Sequence, residues 1–221
     1  MNVLGLTDPA ELAWRVVLSY LLGAVPFGFL MCRWIKGVDV REVGSGNIGA
    51  TNAMRVLGAP LGLTAFFLDV LKGYVPAAFL ARGDPSWQVA CAGAAVCGHV
   101  WPVYLRFKGG KAVATGCGAI LAIDPLIVLY AGLVWLVCLV GAGWVSVSSM
   151  AMGLAFPAAA WWRGQPLVVI LGTSLLTLLI LVRHRSNMVR LMRGTEDRSR
   201  LYYKIRGRSP RSGPQKSHGH E

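Results

Sequence analysis

Of 221 residues, 55% are hydrophobic and only 14% charged, and the mean hydropathy is +0.54. A water-soluble domain needs more charge than that to cover its surface, so the composition excludes an ordinary soluble enzyme and implies a bundle embedded in lipid. The net charge of +12 would suggest nucleic acid in a soluble chain; here it reads as membrane topology and anionic ligands, and no nucleic-acid partner is expected.

Apolar runs occur in chain order at Leu12 to Cys32, Pro60 to Leu80, Trp87 to Leu105, Ala112 to Ile123, Leu126 to Gly143, Met150 to Trp161 and Leu167 to Val182. They predict an all-α integral membrane protein, a bundle of seven transmembrane helices. A straight span needs roughly 20 apolar residues, so the fourth and sixth runs are expected to be half-helices packed against neighbours. Joining the fourth to the fifth across Asp124 and Pro125 would leave an even count. The first run lacks a basic leader and ends at Arg33 and Lys36, so it reads as a retained span and not a cleaved signal.

With seven spans, the segments 33–59, 106–111 and 183–221 share one side and carry 4, 3 and 11 Lys/Arg, against Arg82 and Arg163 on the other. That asymmetry predicts an external N-terminus and a cytoplasmic C-terminus, and its sign survives removal of the tail. Residues 1–197 form the expected membrane-embedded domain. Residues 198–221 turn basic and then rich in Ser, Pro, Gly and His, and are expected to be disordered or to lie on anionic headgroups. No internal repeat is visible.

The five cysteines (Cys32, Cys91, Cys97, Cys117, Cys138) lie in apolar stretches without a CxxC pair, so they read as small core residues. Neither they nor His218 and His220 form a convincing ligand set. No metal and no organic cofactor is expected.

Three polar segments stand out. In the first, Gly44, Ser45, Gly46, Asn47, Gly49, Thr51, Asn52 and Arg55 lie between two apolar runs. Glycines let backbone N–H groups turn inward around an anion, Ser, Thr and Asn donate hydrogen bonds, and Arg55 offers a bidentate phosphate contact. Gly44 to Gly49 spells GxGxxG, but that fingerprint requires a preceding strand, and this one follows a membrane helix.

In the second, Gly98 and His99 precede Arg106, Phe107, Lys108, Gly109, Gly110, Lys111 and Thr115. Lys111 and Thr115, four apart at a helix start, would share a face and meet an anion at the helix N-terminus. Arg106 and Lys108 are also explained as snorkelling residues at the membrane edge. The third runs from Arg183 to Glu196 and interleaves His184, Asn187, Gly194 and Glu196 with arginines.

Asp69 and Lys72 lie inside an apolar run at i, i+3 and can pair on one helix face, as a site or as a structural ion pair. Ser146, Ser148 and Ser149 fall between runs five and six, where they could cap a helix or touch a ligand. No GxSxG occurs, and neither His99 nor His184 is followed five residues later by Asp, so a serine triad and the His-x4-Asp acyltransferase signature are both unsupported.

Taken together, Gly44 through Asn52, Gly98-His99 with Phe107 through Lys111, and His184 with Asn187 and Gly194 through Glu196 resemble the bacterial acyl-phosphate:glycerol-3-phosphate acyltransferases, the PlsY family. The resemblance runs from the first span to Glu196. It implies a seven-helix inner-membrane enzyme with its active site facing the cytoplasm. Its substrates would be acyl phosphate and sn-glycerol 3-phosphate, and its products lysophosphatidic acid and inorganic phosphate, formed without a covalent acyl-enzyme.

On that reading Ser45, Asn47, Thr51 and Arg55 hold phosphate, helped by Gly44, Gly46, Gly49, Lys108, Gly109, Gly110, Lys111, Thr115 and Ser146. His184, Asn187 and Glu196 orient the glycerol phosphate, and the general base is His184, Glu196 or a substrate phosphate oxygen. His99, with Asp69 and Lys72, is a candidate structural residue. A transporter of anions or lipid phosphates would need polar residues lining a route to both sides, whereas here they cluster on one. A scaffold for anionic membrane lipids would explain the basic tail but not the Asn, Thr and Glu among the glycines.

Overall fold

The computed structural model describes residues 9–81 and 84–207, and among these every regular element is a helix. Chain order gives α1 (Pro9–Ala24), α2 (Phe27–Lys36), α3 (Ala50–Leu57), α4 (Ala59–Val75), α5 (Pro85–Val100), α6 (Val113–Ile123), α7 (Pro125–Ala142), α8 (Val145–Trp162), α9 (Leu167–Arg183), α10 (Arg185–Met192) and α11 (Arg200–Ile205). Four helices or helix runs among the described residues are long and apolar enough to cross a membrane: Ala10–Lys36, Ala59–Leu80, α7 and α8. The bent pair α9 and α10 makes a fifth. Phe67, Phe79, Val137, Leu171 and Leu175 on these helices leave apolar side chains exposed, as a lipid-facing surface requires.

Several boundaries differ from the apolar runs, each for a local reason. The first run is broken at Val25 and Pro26, because proline cannot donate the helical hydrogen bond. The second continues past Val75 as one π-helical turn, Pro76–Leu80, where Pro76 again interrupts the ladder. The sixth run is not a half-helix: α8 has 18 residues and begins at Val145. Its serines lower the local hydropathy yet are buried, and Ser148 Oγ donates back to the Trp144 carbonyl at 2.9 Å. The fourth run, α6, has 11 residues and is the short helix that was expected.

Close backbone approach holds the bundle together. α1 packs on α5 and α4 on α6, in both cases through glycine. A Cβ on Gly23 would stand 2.1 Å from the Ala95 carbonyl oxygen, one on Gly73 2.0 Å from that of Thr115, and one on Gly118 1.9 Å from that of Val70. Without a hydrophobic drive between helices in lipid, such small-residue contacts supply the packing. α7, α8 and α9 gather a larger apolar core around Ile127, Phe156, Val169 and Ile180, and Thr177 Oγ1 of α9 reaches the Gly153 carbonyl of α8 at 2.5 Å.

The ends of the bundle differ. At one, Asp124 caps α7 and accepts hydrogen bonds from Arg163 Nε at 2.9 Å and Gln165 Nε2 at 2.8 Å, tying two turns together. At the other, the three polar segments converge with the start of α8. Residues 198–207 do not form the loose tail expected from their charge, because α11 packs against α7 and buries Tyr202. Residues 208–221, with His218 and His220, lie outside the described residues.

Gly73→Ala and Gly118→Ala should each lower the thermal unfolding temperature in detergent by several degrees, since a methyl group there must displace backbone. Gly132→Ala, with nothing within 4 Å of its would-be Cβ, should leave that temperature unchanged or slightly raised.

Candidate active site

The first polar segment is organised by Asn52. Its Nδ2 is 2.8 Å from the Val40 carbonyl oxygen, 2.9 Å from that of Val43 and 3.0 Å from that of Asn47, while its Oδ1 accepts from the Ser45 N–H at 3.1 Å. One buried carboxamide thus closes residues 40–47 into a compact loop against α3. Gly44 has φ +59°, and a Cβ on it would stand 2.3 Å from Asn52 Oδ1, so only glycine fits. Asn47 Oδ1 accepts the Gly49 N–H at 2.8 Å, and Gly49 is the N-cap of α3.

The second segment is clamped from α9. Arg183 Nε donates to the Gly110 carbonyl at 3.0 Å and Nη2 to the Gly109 carbonyl at 2.9 Å. Behind them, the Gly110 N–H donates to the His99 carbonyl at 3.0 Å. A Cβ on Gly110 would meet His99 Nε2 at 2.1 Å, and one on Gly109 the His99 carbonyl oxygen at 2.2 Å. Arg106, Phe107 and Ala112 all have positive φ (51°, 61° and 58°), a conformation that costs about 1–3 kcal/mol per non-glycine residue and collects at functional sites.

His99 itself is buried, with Nδ1 4.0 Å from Asp69 Oδ1, and Lys72 Nζ lies 2.7 Å from the same oxygen and donates to the Val25 carbonyl at 2.7 Å. This cluster supports the glycine turn from inside the bundle, as a structural ion pair would.

In the third segment the chain bends by 51° between α9 and α10 at His184. Asn187 Oδ1 accepts a short hydrogen bond from Lys111 Nζ, and Asn187 Nδ2 donates to Glu196 Oε1 at 2.7 Å. Arg190 Nε holds Glu196 Oε2 at 2.7 Å. Burial works against ionisation of Glu196, but Asn187, then the adjacent Ser146 hydroxyl and Arg190, outweigh it and hold the carboxyl below the usual carboxylate range.

Burial, and secondarily the surrounding arginines, pull Lys111 down to about 8, although Glu196 works the other way. Desolvation and then the Lys111 charge push His184 down to about 4. Its Nδ1 donates to the Ile180 carbonyl at 2.8 Å, so the neutral ring keeps its lone pair on Nε2.

Two adjoining cavities open among these groups. One, of about 260 Å³, is lined by Ser45, Gly46, Asn47, Gly109, Lys111, Arg183, Arg185, Ser186 and Arg190 with Val182. The other, of about 300 Å³, is lined by Arg41, Gly46, Ile48, Phe107, Lys108, Gly109 and Arg183. They share Gly46, Gly109 and Arg183, and neither has a carboxylate in its wall. The pair is suited to two anions side by side, each met by guanidinium or ammonium and by backbone of a glycine turn.

Of the residues expected at a site, Ser45, Gly46, Asn47, Lys108, Gly109 and Lys111 line these cavities, with Asn187 and Glu196 directly behind Lys111. Gly44, Gly49 and Gly110 shape the walls from behind. Thr51 and Arg55 are on the exposed face of α3 outside the cavity walls, where Arg55 lies 3.6 Å from Asp197 and its charge still acts on Lys111. Thr115 is corrected. Lys111 precedes α6 and Ala112 takes a left-handed conformation, so the two do not share a helix face, and Thr115 is fully buried against α4. Ser146 caps nothing, since Trp144 is the N-cap of α8.

Asn52, Arg183, Arg185, Ser186, Arg190 and Arg41 were not among the residues expected at the site. In the sequence Arg183, Ser186, Asn187 and Arg190 fall at i, i+3, i+4 and i+7, the spacing of a helical face, a signal that points to Arg183, Ser186 and Arg190 even though the chain bends between α9 and α10; no such spacing marks Asn52, Arg185 or Arg41.

A family model described as glycerol-3-phosphate acyltransferase matches residues 13–194. The chain belongs to the glycerol-3-phosphate acyltransferase family. The Aquifex aeolicus glycerol-3-phosphate acyltransferase is 41% identical over 186 residues, covering 83% of this chain and 96% of that protein. The one from Rubrobacter xylanophilus is 44% identical over 184 residues, with 82% and 92% covered. A crystal structure of PlsY, an integral membrane glycerol 3-phosphate acyltransferase, in its glycerol 3-phosphate form superposes with a TM-score of 0.83 at 38% identity, covering 88% of this chain and 98% of that one. Its lysophosphatidic acid form gives 0.81 at 37% identity. This family member is therefore an acyltransferase and a multi-pass membrane protein.

Asn52→Ala leaves the Val40 and Asn47 carbonyls unpaired and should destabilise the protein by about 2–4 kcal/mol, read as a fall in unfolding temperature together with loss of activity. Asn52→Asp, which sets a carboxylate against three carbonyl oxygens, should do at least as much harm. Because Lys111 titrates at about 8, its charge is present below that pH and lost above it. kcat/KM should therefore decline on the alkaline side of pH 8, and Lys111→Arg should move that limb beyond the accessible range.

Proposed function

We propose that this protein transfers an acyl group from acyl phosphate to the 1-hydroxyl of sn-glycerol 3-phosphate, giving 1-acyl-sn-glycerol 3-phosphate and inorganic phosphate, with no covalent acyl-enzyme. The observation that carries this reading is the pair of adjoining cationic cavities at one end of an apolar bundle: both substrates bear phosphate, and one also drags an acyl chain. The two solved forms of the related PlsY, with glycerol 3-phosphate and with lysophosphatidic acid, support the acceptor and the product.

The cavity walled by Ser45, Asn47, Lys111, Arg185, Ser186 and Arg190 suits the small, wholly polar glycerol phosphate. The one with Ile48 and Phe107 beside Arg41 and Lys108 suits the acyl phosphate, whose chain needs apolar company. Arg183, Gly46 and Gly109 stand between them, where the reacting atoms meet. Acyl phosphate is a mixed anhydride with a good leaving group, so positioning and charge stabilisation supply most of the acceleration.

The acceptor oxygen adds to the acyl carbonyl, the bond from that carbon to the phosphate oxygen breaks, and the hydroxyl proton passes to a phosphate oxygen of the substrates. Protein bases are poorly placed for that proton. His184 at about 4 is a weak base, and both Glu196 oxygens are already bonded to Asn187 and Arg190. The Ser45 hydroxyl has no base hydrogen-bonded to it among the described residues, which argues against a seryl intermediate.

The seven traversals on this reading are α1 with α2, α4 with its π-helical turn, α5, α6, α7, α8 and α9. The charge asymmetry of the loops favours the cleft on the cytoplasmic side of a bacterial inner membrane, with the N-terminus outside.

Purified protein in lipid, given palmitoyl phosphate with and without sn-glycerol 3-phosphate, should release phosphate only when both are present and form lysophosphatidic acid. Turnover with acyl-CoA alone would sink the donor assignment, and none with either donor would sink the transferase reading. The acid limb of kcat/KM should fall near the second ionisation of a phosphate monoester, about 6, and should stay there in a slower Glu196→Gln variant. A limb that vanished with Glu196 would make that carboxylate the base.

A further inference from the structure

Beyond Glu196 the chain folds back over the junction of α7 and α8. Gly143 ends α7 with φ +83°, and a Cβ there would be 2.6 Å from the Tyr202 ring, so the buried ring sits directly on bare backbone. The Ser199 N–H donates to the Gly143 carbonyl at 2.8 Å, and Ser199 Oγ accepts the Tyr202 N–H at 3.2 Å. The Arg198 guanidinium lies 4.4 Å from the Trp144 ring centre and 4.7 Å from that of Tyr202, and it donates to Tyr202 Oη at 2.8 Å. Arg206 lies 4.9 Å from the same Tyr202 ring.

The residue that links this seat to the site is Trp144, whose Nε1 donates to the Glu196 backbone carbonyl at 3.2 Å. Glu196 is then held at both ends, by Trp144 through its backbone and by Asn187 and Arg190 through its carboxylate. Asn187 in turn holds Lys111. The family match stops at residue 194, so residues 198–206 lie beyond the matched region, whereas Gly143 and Trp144 lie within it.

We infer that residues 198–206 are a strap whose anchor, Tyr202 on Gly143 with Arg198 between it and Trp144, positions the Glu196 carboxylate and through it Asn187 and Lys111 for the glycerol phosphate. Tyr202 and Arg198 are positioning residues, and the inference rests on the function proposed above for what the cleft binds. Glu196 follows the left-handed turn at Gly194, which has φ +68°, and on its C-terminal side its backbone is fixed through Trp144 to the strap's seat. Cation–π contacts and a ring packed on backbone are sufficient to hold such a segment across a bundle end.

The test compares Tyr202→Ala, Tyr202→Phe and Arg198→Ala in the full chain, by steady-state kinetics in both substrates and by hydrogen exchange of the 187–197 amides. Tyr202→Ala should raise KM for sn-glycerol 3-phosphate about tenfold, with KM for palmitoyl phosphate within about twofold of the native value. Its 187–197 amides should exchange faster. Tyr202→Phe keeps the ring on Gly143 and should stay near native in both readouts. Arg198→Ala should fall between the two, and carries the test if Tyr202→Ala does not fold.

Native KM values in Tyr202→Ala and Arg198→Ala would overturn the inference, and faster exchange without a change in KM would do so as well, by reducing the strap to packing alone. Absence of transfer by the unmodified chain is a different failure: it removes the proposed function, whereas native turnover with unperturbed variants removes only the strap.

Discussion

Irregular backbone at the edge of a bilayer must close its own hydrogen bonds, and here a single carboxamide does most of that for the first loop. Asn52 reaches three carbonyls and one N–H from one buried position. With those groups paired inward, Ser45, Gly46 and Asn47 are free to face a ligand. Arg183 plays the corresponding part for the second loop, holding both carbonyls of the Gly109-Gly110 turn. A loop closed by its own residues and a loop closed by a distant helix are thus brought edge to edge, and the shared wall of the two cavities is their meeting line.

Charge is distributed to suit. Ammonium and guanidinium groups line the cavities, and the carboxylates beside them are already engaged, Glu196 with Asn187 and Arg190 and Asp39 with Arg41 at 2.6 Å. Those carboxylates compensate Arg41 and Arg190, so the repulsion left for an entering anion to relieve is among Lys108, Lys111, Arg183 and Arg185. The empty cleft is therefore electrostatically unfavourable on its own account, and part of the affinity for phosphate comes from relieving that cost. Three non-glycine residues with positive φ bordering the second loop point the same way: the fold tolerates local strain at the site and offsets it by close packing elsewhere.

Much of this was legible in the sequence. The apolar runs located the membrane helices because lipid demands long uninterrupted hydrophobicity, and the three polar segments stood out because nothing else in the chain resembled them. Hydropathy failed at α8, since buried serines, such as Ser148 bonded back to Trp144 and Ser149 bonded to Trp135, count as polar in a window average but behave as core. Thr115 was misjudged because its spacing from Lys111 was read as helical, whereas the left-handed Ala112 turns the chain between them. Asn52 was overlooked as a supporting residue because type alone does not distinguish an amide that meets a ligand from one that meets carbonyls. α11 was hidden by the arginines that flank it, Arg198 and Arg206, which here stack on aromatic rings instead of remaining in water.

The buried pair Asp69 and Lys72 has a bearing on how the protein reaches its membrane. Both charges belong to one helix and lie three residues apart, so they neutralise each other before any neighbour has packed. A nascent α4 can then enter the bilayer as an internally compensated dipole, at far lower cost than two isolated charges waiting for partners on other segments. The same arrangement constrains evolutionary drift. Loss of either member strands a charge in hydrocarbon, so the two positions are free to change only together, and His99, lying against the same carboxylate, is drawn into that coupling.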